Sequence, residues 1–435
     1  MKTGESKPGS NETQSADLNL RVKALSNRNL LLNPVVIASV VWLSVVSLYA
    51  MHLSKILVYS TEDVIVTSLW IWIPIVIVSV LFYAFRRMVL SISQSKHDRW
   101  QPDLDRIENR LKVWFGIWLV AAVFETIASG GVPLLWLFQN TTKNYDSYGV
   151  TSVHGIVKSL FIAMALCRFS LWVLTGEKRH LKMPIFALVW ALILIDRSMF
   201  LVCVIEYVVV YLRFRKVRAG TLLKIAMGGV LFIVGFGIIG DLRLHGSSDV
   251  FRALAQPTDN YPTWLPSGIL WAYIYAATPV NNLVHSMHLT APLYSFLFPN
   301  TLALLFPTAI RQLIYGSEWW TPLAGELVNN AFNAATAYIG PYQDYGYLGI
   351  VLFSCIITFV CQKYWYSGSL KGTLKFAVVT QCLILTLFYN HLFALPIIFQ
   401  VVWFEVFFSR RLRFGVAAHA GRAVVVKRPA LATGE

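Results

Sequence analysis

The sequence predicts an all-α polytopic membrane protein with about ten transmembrane helices, or twelve if a further hairpin is present, and a long outer loop that bears short helices. Of the 435 residues, 56% are hydrophobic and only 14% are charged, whereas a soluble domain carries roughly 25% charged residues. Apolar runs of about 20 residues, the length that crosses a bilayer, recur along the chain. The 27 Phe, 19 Tyr and 15 Trp residues exclude an intrinsically disordered chain.

The net charge is +15, from 37 Lys and Arg residues against 22 Asp and Glu residues. In a soluble protein this excess would suggest a nucleic-acid partner. Here 29 of the 37 basic residues lie in segments that a single orientation places together on the cytoplasmic side. Because cytoplasmic loops of membrane proteins collect Lys and Arg, orientation explains the charge, and we expect a lipid bilayer and no nucleic acid as partner.

The first half of the chain predicts a cytoplasmic tail at 1–33 and a membrane bundle at 34–240. The first span begins at Pro34, a residue that suits the first turn of a helix. Basic residues follow the second span, and a polar stretch separates the third from the fourth. The predicted spans of this half are 34–54, 64–85, 113–128, 153–175 and 221–240.

Residues 183–212, between the fourth span and the span at 221–240, are apolar except for Asp196, Arg197 and Glu206. Basic clusters flank the segment on both sides, so the positive-inside rule places both flanks in the cytoplasm. The segment therefore predicts a hairpin of two short helices, about 183–195 and 198–212, with Arg197 near the turn. Each helix would be roughly 20 Å long, shorter than the ~30 Å hydrocarbon core, which would put the turn in a water-filled cavity at membrane depth.

The second half predicts an outer loop at 241–342, since prolines and asparagines interrupt its two aromatic-rich stretches, 268–286 and 291–310. We expect these stretches to form membrane-surface helices, and a further in-and-out hairpin is the alternative. Three more membrane spans and a basic cytoplasmic tail follow, which makes both termini cytoplasmic. These segments are 343–362, 374–389, 392–408 and 409–435.

Metal-binding and cofactor-binding patterns are absent from the sequence. The five cysteines lie in apolar stretches without CxxC spacing, which is typical of buried small hydrophobic residues. The segments predicted on the outer side contain no HExxH or DxD motif. The sequence therefore predicts neither a metal nor a cofactor.

Arg197 is the strongest candidate for a functional residue. A cation near the membrane centre costs roughly 2.5–3.5 kcal/mol on insertion scales, so it is kept only where it is paired or used. One interpretation is a structural ion pair with Asp196 or Glu206. The other is an anion site on the outer side, because a guanidinium group gives phosphate two parallel hydrogen bonds and stays charged.

Further arginines, acids and one histidine are expected on the same outer side. The arginines are either ordinary surface residues or, with Arg197, a cradle for an anion. Glu125 either belongs to the site or is a partner for Lys158 or Arg168. The candidate set is Arg243, Arg252, Arg311, Asp241, Asp344, Glu326, Glu125 and His154.

Several short motifs, in this order and placement, resemble those of the bacterial oligosaccharide repeat-unit polymerases, the Wzy-type O-antigen polymerases. The resemblance covers about residues 34–408. The motifs are Gly-Gly-Val-Pro-Leu-Leu at 130–135, Gly-Val-Thr-Ser-Val-His-Gly at 149–155, Asp-Arg-Ser-Met-Phe-Leu at 196–201, Gly-Asp-Leu-Arg at 240–243 and Tyr-Gln-Asp-Tyr-Gly-Tyr-Leu-Gly at 342–349.

This resemblance implies a metal-independent glycosyltransferase at the periplasmic face of the bacterial inner membrane. Such enzymes transfer a growing glycan from undecaprenyl diphosphate to a new lipid-linked repeat unit, and a chain-length-regulating co-polymerase is a candidate partner. The resemblance makes Arg197 and Arg243 the best catalytic candidates and places Asp344 in an Asp-aromatic-Gly signature. Asp344 is then the favoured general base, with Asp241 or Glu326 as alternatives.

Two other classes of protein remain open at this point. The related O-antigen ligase shares long outer loops with arginines and differs in its acceptor. A transporter or flippase of lipid-linked oligosaccharide would often show paired broken helices in two repeats, and the break near 196 has no clear counterpart in the other half of the chain.

Overall fold

The computed structural model describes residues 29–93, 104–215, 219–230 and 248–409, apart from short gaps at 137, 140–142, 144–146, 152, 222, 263, 266 and 317–325. This part of the chain is helical and contains no β-strand; an isolated bridge joins Ser54 and Pro257. The all-α class predicted from the sequence is therefore confirmed for the described residues.

The described helices follow one another along the chain. Residues 219–221 and 223–230 are also helical. The numbered helices are α1 Pro34–Ala50, α2 Thr61–Ser93, α3 Leu104–Ser129, α4 Pro133–Trp136, α5 Val153–Thr175, α6 Lys182–Ile193, α7 Arg197–Phe214, α8 Ser248–Ala255, α9 Ser267–Leu289, α10 Pro299–Leu302, α11 Thr308–Tyr315, α12 Ile339–Trp365, α13 Leu370–Ile384 and α14 Leu395–Phe408.

Five segments of the described chain are helical, long and apolar enough to cross a membrane. They are Thr61–Arg86, Leu104–Trp136, Val153–Thr175, Ile339–Trp365 and Leu370–Leu387, and α1 and α14 are apolar but shorter. Apolar side chains on the outside of α3, such as Ile127 at 73% exposure, remain uncovered, as expected where lipid is the solvent. The protein is membrane-embedded, and the number of about ten crossings stays a prediction.

The long helices form two groups with α13 between them. Helices α1, α2, α9 and α12 pack on one side, and α3, α5, α6, α7 and α14 pack on the other. Helix α13 contacts members of both groups, and almost all of its residues are buried. The core of the protein is thus built around the penultimate membrane helix.

The break predicted at the centre of 183–212 is present between α6 and α7. Ile195 adopts a left-handed backbone conformation (φ 54°) just before it. The helices are unequal: α6 has 12 residues and α7 has 18, which corresponds to about 18 Å and about 27 Å. Helix α7 extends slightly beyond the predicted 198–212 and is longer than the roughly 20 Å expected from the sequence. The break lies close to one end of the bundle.

Helix α9 corrects the prediction that Pro279 and the asparagines interrupt 268–286. The structure has one continuous helix of 23 residues with Pro279 inside it. The asparagines do not end the helix because their side chains bind neighbouring loops: Asn281 accepts hydrogen bonds from Tyr49 and the Val58 amide, and Asn282 donates to the Phe332 and Ala334 carbonyls. These contacts with neighbouring segments keep α9 continuous despite Pro279.

Helix α9 lies along one end of the bundle. Its contacts are with the connection between α1 and α2: Tyr273 accepts from the Leu53 amide, and His285 binds the Tyr59 hydroxyl at 2.7 Å. Near the end of α9 the Met287 carbonyl accepts from Tyr342, close to the start of α12. The segment that precedes α12 thus covers the end of the bundle at which α12 begins.

Charged clusters mark the two ends of α3. Near its start, Glu108 binds Arg168 of α5 at 3.2 Å and Arg179 at 3.5 Å. Near its other end, Glu125 binds His154 at 3.2 Å. The two glutamates are 17 positions apart in one helix, or about 26 Å along its axis, which is close to the thickness of the hydrocarbon core.

Candidate functional site

A small pocket lies at the break between α6 and α7. Helices α3, α5, α6 and α7 wall it, and the loop before α5 closes one side. Its polar side chains are Glu125, Tyr148, His154 and Lys158, and its aromatic walls are Trp118, Phe161 and Trp190. Charged and aromatic side chains therefore share one small space near one end of the bundle.

Helix α5 supplies two of the polar groups because His154 and Lys158 are four residues apart, which puts them on the same helix face. His154 Nδ1 lies 3.2 Å from Glu125 Oε2 of α3. The Glu125 side chain is 2% exposed, and its Oε1 atom has no hydrogen-bond partner in the described chain. The pocket thus contains a buried carboxylate with one oxygen still available.

Lys158 forms a short ion pair with Asp196, the residue between α6 and α7. Asp196 is also the N-cap of α7, since its other carboxylate oxygen accepts a hydrogen bond from the Met199 amide at 2.8 Å. Such a cap satisfies one of the free amides at a helix start. This arrangement ties α5 to the break and fixes the start of α7 beside the pocket.

The loop before α5 fits closely over the histidine. The Tyr148 hydroxyl lies 3.0 Å from Thr126 Oγ1, and its ring meets the His154 ring edge to face. Gly149 has φ +91°, and a Cβ atom there would come within 2.7 Å of the His154 ring. Only glycine fits this conformation and this spacing, so Gly149 allows the loop to approach the pocket.

Tyr389 and His391 lie behind the ion pair, in the connection between α13 and α14. The Tyr389 hydroxyl is 2.9 Å from Ser198 Oγ, and its ring stacks on His391 at 4.0 Å. Burial and the nearby Lys158 ammonium group lower the pKa of His391 to about 3. His391 is therefore a neutral imidazole at physiological pH.

Arg197 is the first residue of α7 and is half-buried at the break. The two acids considered as its structural partners have strong contacts with other residues. Asp196 binds Lys158, and Glu206, which is fully buried, accepts two hydrogen bonds from Gln400 at 2.8 and 2.9 Å.

The partners proposed for Glu125 are corrected in the same way. Neither Lys158 nor Arg168 binds it. Lys158 binds Asp196, and Arg168 binds Glu108 at the other end of the bundle. The partner of Glu125 is His154, which itself was a site candidate.

Asp344 lies outside the pocket and binds the start of α10. It is 0% exposed, and its carboxylate accepts from the Asn300 amide, the Asn300 side chain and the Thr301 amide at 2.8–3.1 Å. These contacts hold α10 against the start of α12. Because both oxygens are engaged and the residue is buried, its position does not favour the general-base role predicted from the signature.

The other candidates do not line the pocket. Arg252 lies half-buried on α8, Arg311 lies on α11 beside the Phe306 carbonyl at 3.4 Å, and Glu326 is exposed in a loop. Arg243 and Asp241 lie outside the described residues. The structure therefore places Glu125 and His154 of the predicted set in the pocket. Arg197 lies at the start of α7, beside the break, and the arginine cradle stays a prediction.

The sequence reasoning did not assign Lys158, Tyr148, Tyr389 or His391 to the site. One signal was available: a lysine four residues after a histidine in an otherwise apolar span is costly unless it has a partner. Tyr389 and His391 gave no signal, because only the packing of α13 against α7 brings them to the break.

The described residues contain no group of three or more His, Cys, Asp and Glu side chains placed to hold a metal ion. The fold and site define an all-helical, membrane-embedded protein with a polar pocket near one end of its bundle. Comparison with protein families, with curated proteins and with solved structures finds no match for the chain.

Proposed function

We propose that the protein is a membrane glycosyltransferase that polymerises oligosaccharide repeat units carried on undecaprenyl diphosphate, for O-antigen or a related surface polysaccharide. The observation that supports this function best is the pocket at the α6–α7 break. Lys158 with its partner Asp196, a carboxylate–imidazole pair and aromatic walls meet there, and Arg197 begins α7 beside the break. These are the groups that a diphosphate, a sugar hydroxyl and a sugar ring require.

The diphosphate would bind at the start of α7. Arg197 provides a guanidinium group there, and the first amides of an 18-residue helix add partial positive charge at the same point. A lipid diphosphate is already a good leaving group, so stabilising the charge that develops on it matters more than protonating it. Preorganised cationic donors in a site shielded from water do this without a metal ion.

The sugars would lie against the aromatic walls. Trp118 stacks on Phe161 at 3.9 Å, and Trp190 meets Trp118 edge to face at 5.7 Å. Trp118 and Phe161 are at most 2% exposed, whereas Trp190 is half-buried, so Trp190 is the ring of this group that remains partly accessible beside the charged groups. A ring of this kind suits the apolar face of a sugar, and its packing on Trp118 holds it in place before substrate arrives.

The orientation follows from the charges. The break lies at the end of α3 opposite Glu108 and Arg168, and the basic segments lie beyond that opposite end in the predicted topology. We therefore place the pocket at the periplasmic face of a bacterial inner membrane, with both termini in the cytoplasm. The bilayer would hold the undecaprenyl chain, and a chain-length-regulating co-polymerase is the candidate protein partner.

Deleting the gene and analysing the surface glycan tests the proposed function. A polymerase mutant carries core plus a single repeat unit, and we expect this pattern to be reversed by the intact gene. Bare core would contradict the proposal in favour of an O-antigen ligase. Accumulation of lipid-linked units on the cytoplasmic side would contradict it in favour of a flippase.

A further inference from the structure

The contact between Glu125 and His154 orients the imidazole ring in a definite way. Glu125 Oε2 lies 3.2 Å from His154 Nδ1. Glu125 does not bind Nε2, which can therefore contact another group. The His154 side chain is 28% exposed, whereas Glu125 is 2% exposed. A buried carboxylate that holds one imidazole nitrogen while the other meets substrate is the arrangement that activates hydroxyl nucleophiles.

The other titratable groups around His154 have their own partners. Asp196 and Lys158 bind each other, and the Tyr148 hydroxyl lies beside Thr126. His391, behind the ion pair, is buried. His154 is therefore the pocket group with an accessible nitrogen, and the charged or titratable groups that face it are Glu125 of α3, Tyr148 of the preceding loop, Lys158 of α5 and Asp196 of the break.

We propose that His154 is the general base that activates the acceptor hydroxyl and that Glu125 is the residue that positions it; this inference rests on the proposed function. The acceptor hydroxyl gives its proton to His154 Nε2 while its oxygen forms a bond to the anomeric carbon of the donor sugar. The bond from that carbon to the diphosphate oxygen breaks, and the lipid diphosphate leaves with the electron pair. The imidazolium then releases the proton to water.

The unpartnered Oε1 atom of Glu125 is a second observation that points to a ligand. A buried carboxylate oxygen without a hydrogen bond is costly, and this atom belongs to a residue that lines the pocket. A hydroxyl of the acceptor sugar would donate to it. The Glu125–His154 pair thus binds one hydroxyl of the acceptor sugar through Glu125 and deprotonates a neighbouring hydroxyl of the same sugar through His154.

The test uses purified full-length protein in lipid nanodiscs with an undecaprenyl-diphosphate-linked oligosaccharide as donor and acceptor. We expect His154→Gln to lower kcat about 10²–10⁴-fold, the usual contribution of a general base, with KM changed less than about threefold. His288→Gln is the matched control, because His288 stacks on Tyr59 away from the pocket. It should retain wild-type rates.

Glu125→Gln provides the second measurement. Glutamine removes the carboxylate that orients Nδ1, so kcat should fall at least about tenfold while KM changes less than about threefold, and Glu125→Asp should recover part of the lost rate. Activity of His154→Gln within about tenfold of the wild type, or an unchanged kcat in Glu125→Gln, would overturn this inference alone. A wild-type protein that forms no polymer would instead contradict the proposed function, and with it this inference.

Discussion

At the scale of single residues, Arg197 combines two sources of positive charge. Its guanidinium group and the start of α7 are both at the break, and Asp196 caps the helix while it binds Lys158. Lys158 compensates the charge of Asp196, so Asp196 does not cancel the positive charge of the Arg197 guanidinium group and the start of α7. The break is thus electrostatically suited to an anion.

We predict that Arg197→Lys and Arg197→Ala reach the membrane at normal levels but yield only short or single-unit glycan. Lysine keeps the charge and loses the planar fork that binds two phosphate oxygens. Loss of one such contact costs roughly 3–4 kcal/mol, or about 10²–10³ in rate, by analogy with oxyanion-hole donors. Immunoblots of membranes measure the level of each variant, and glycan gels measure the chain length.

Arg168→Lys is the matched control for Arg197. Arg168 is a half-buried arginine on α5 that binds Glu108 and His180 at the other end of the bundle. A lysine there keeps the ion pair with Glu108, so chain length should stay near normal. Near-normal glycan in Arg197→Lys, or loss of the protein in Arg197→Ala, would support a structural role for Arg197.

His391 predicts a pH dependence of stability. In the folded protein its pKa is about 3, and in the unfolded chain a histidine has a pKa near 6.5. Between these values the unfolded state binds the extra proton, so stability is lost as the pH falls below about 6.5, by up to about 1.4 kcal/mol per pH unit. Melting temperatures from pH 7.5 to pH 5 should fall less steeply in His391→Gln than in the wild type; equal slopes would refute this.

Sequence reasoning identified several residues of the pocket but not their partners. Arg197, Glu125 and His154 were detectable because polar groups in apolar spans are costly and need a reason. Their contacts depend on which helix faces meet, and the Glu125–His154 contact joins residues 29 positions apart. Asp344 differs from these residues. Its motif predicts a general base, whereas its carboxylate binds Asn300 and Thr301 of α10.

At the scale of helices, arginines at the end opposite the pocket cap neighbouring helices. Arg110 donates to the Phe407 carbonyl at the end of α14, Arg213 donates to Trp365 and Ser367 at the end of α12, and Arg215 donates to Val173 near the end of α5. The last carbonyls of a helix lack partners within it and carry partial negative charge. These arginines therefore stabilise helix ends.

We predict that Arg213→Gln destabilises the protein without changing its chemistry. Arg213 is buried, and its guanidinium group binds two carbonyls at 2.7 and 3.1 Å. Hydrogen bonds from a charged group contribute roughly 1.5–3 kcal/mol each, so the melting temperature in detergent should fall by several degrees. The rate per folded molecule should stay within about twofold of the wild type.

Lys112→Gln is the control for that measurement. Lys112 is exposed and lies 3.8 Å from Glu108, and such surface ion pairs contribute little. Its melting temperature should match that of the wild type. An Arg213→Gln protein as stable as Lys112→Gln would show that the capping contacts do not hold the helix ends.

Helix boundaries were predictable to different degrees. The fourth span was predicted at 153–175 and is Val153–Thr175, since polar loops flank a continuous apolar run. The break at Asp196 followed from charge alone. Helix α9 was not predicted as continuous, because Pro279 and two asparagines usually end helices and their tertiary contacts with the α1–α2 connection are invisible in the sequence.

At the scale of the whole molecule, the described segment 248–316 lies over the end that holds the pocket. Ser54 binds the Ala255 carbonyl at the end of α8, α9 packs on the α1–α2 connection, and α10 binds Asp344 at the start of α12. Asn390, beside His391, donates to the Thr301 carbonyl at 3.1 Å. The segment 248–316 is therefore connected to the pocket end of the bundle through Asn390 and its neighbour His391.

This arrangement predicts that the whole of the described segment 248–316 lies on the periplasmic side. Reporter fusions after Trp264 and after Tyr315 should both give a periplasmic signal, since the contacts of α9 from Tyr273 to Met287 are at one end of the bundle. A fusion after Arg215, at the end where arginines cap the helices, should give the opposite signal. A cytoplasmic signal at one of the first two sites would mean that α9 crosses the membrane, and a cytoplasmic signal at both would reverse the orientation on which the periplasmic pocket depends.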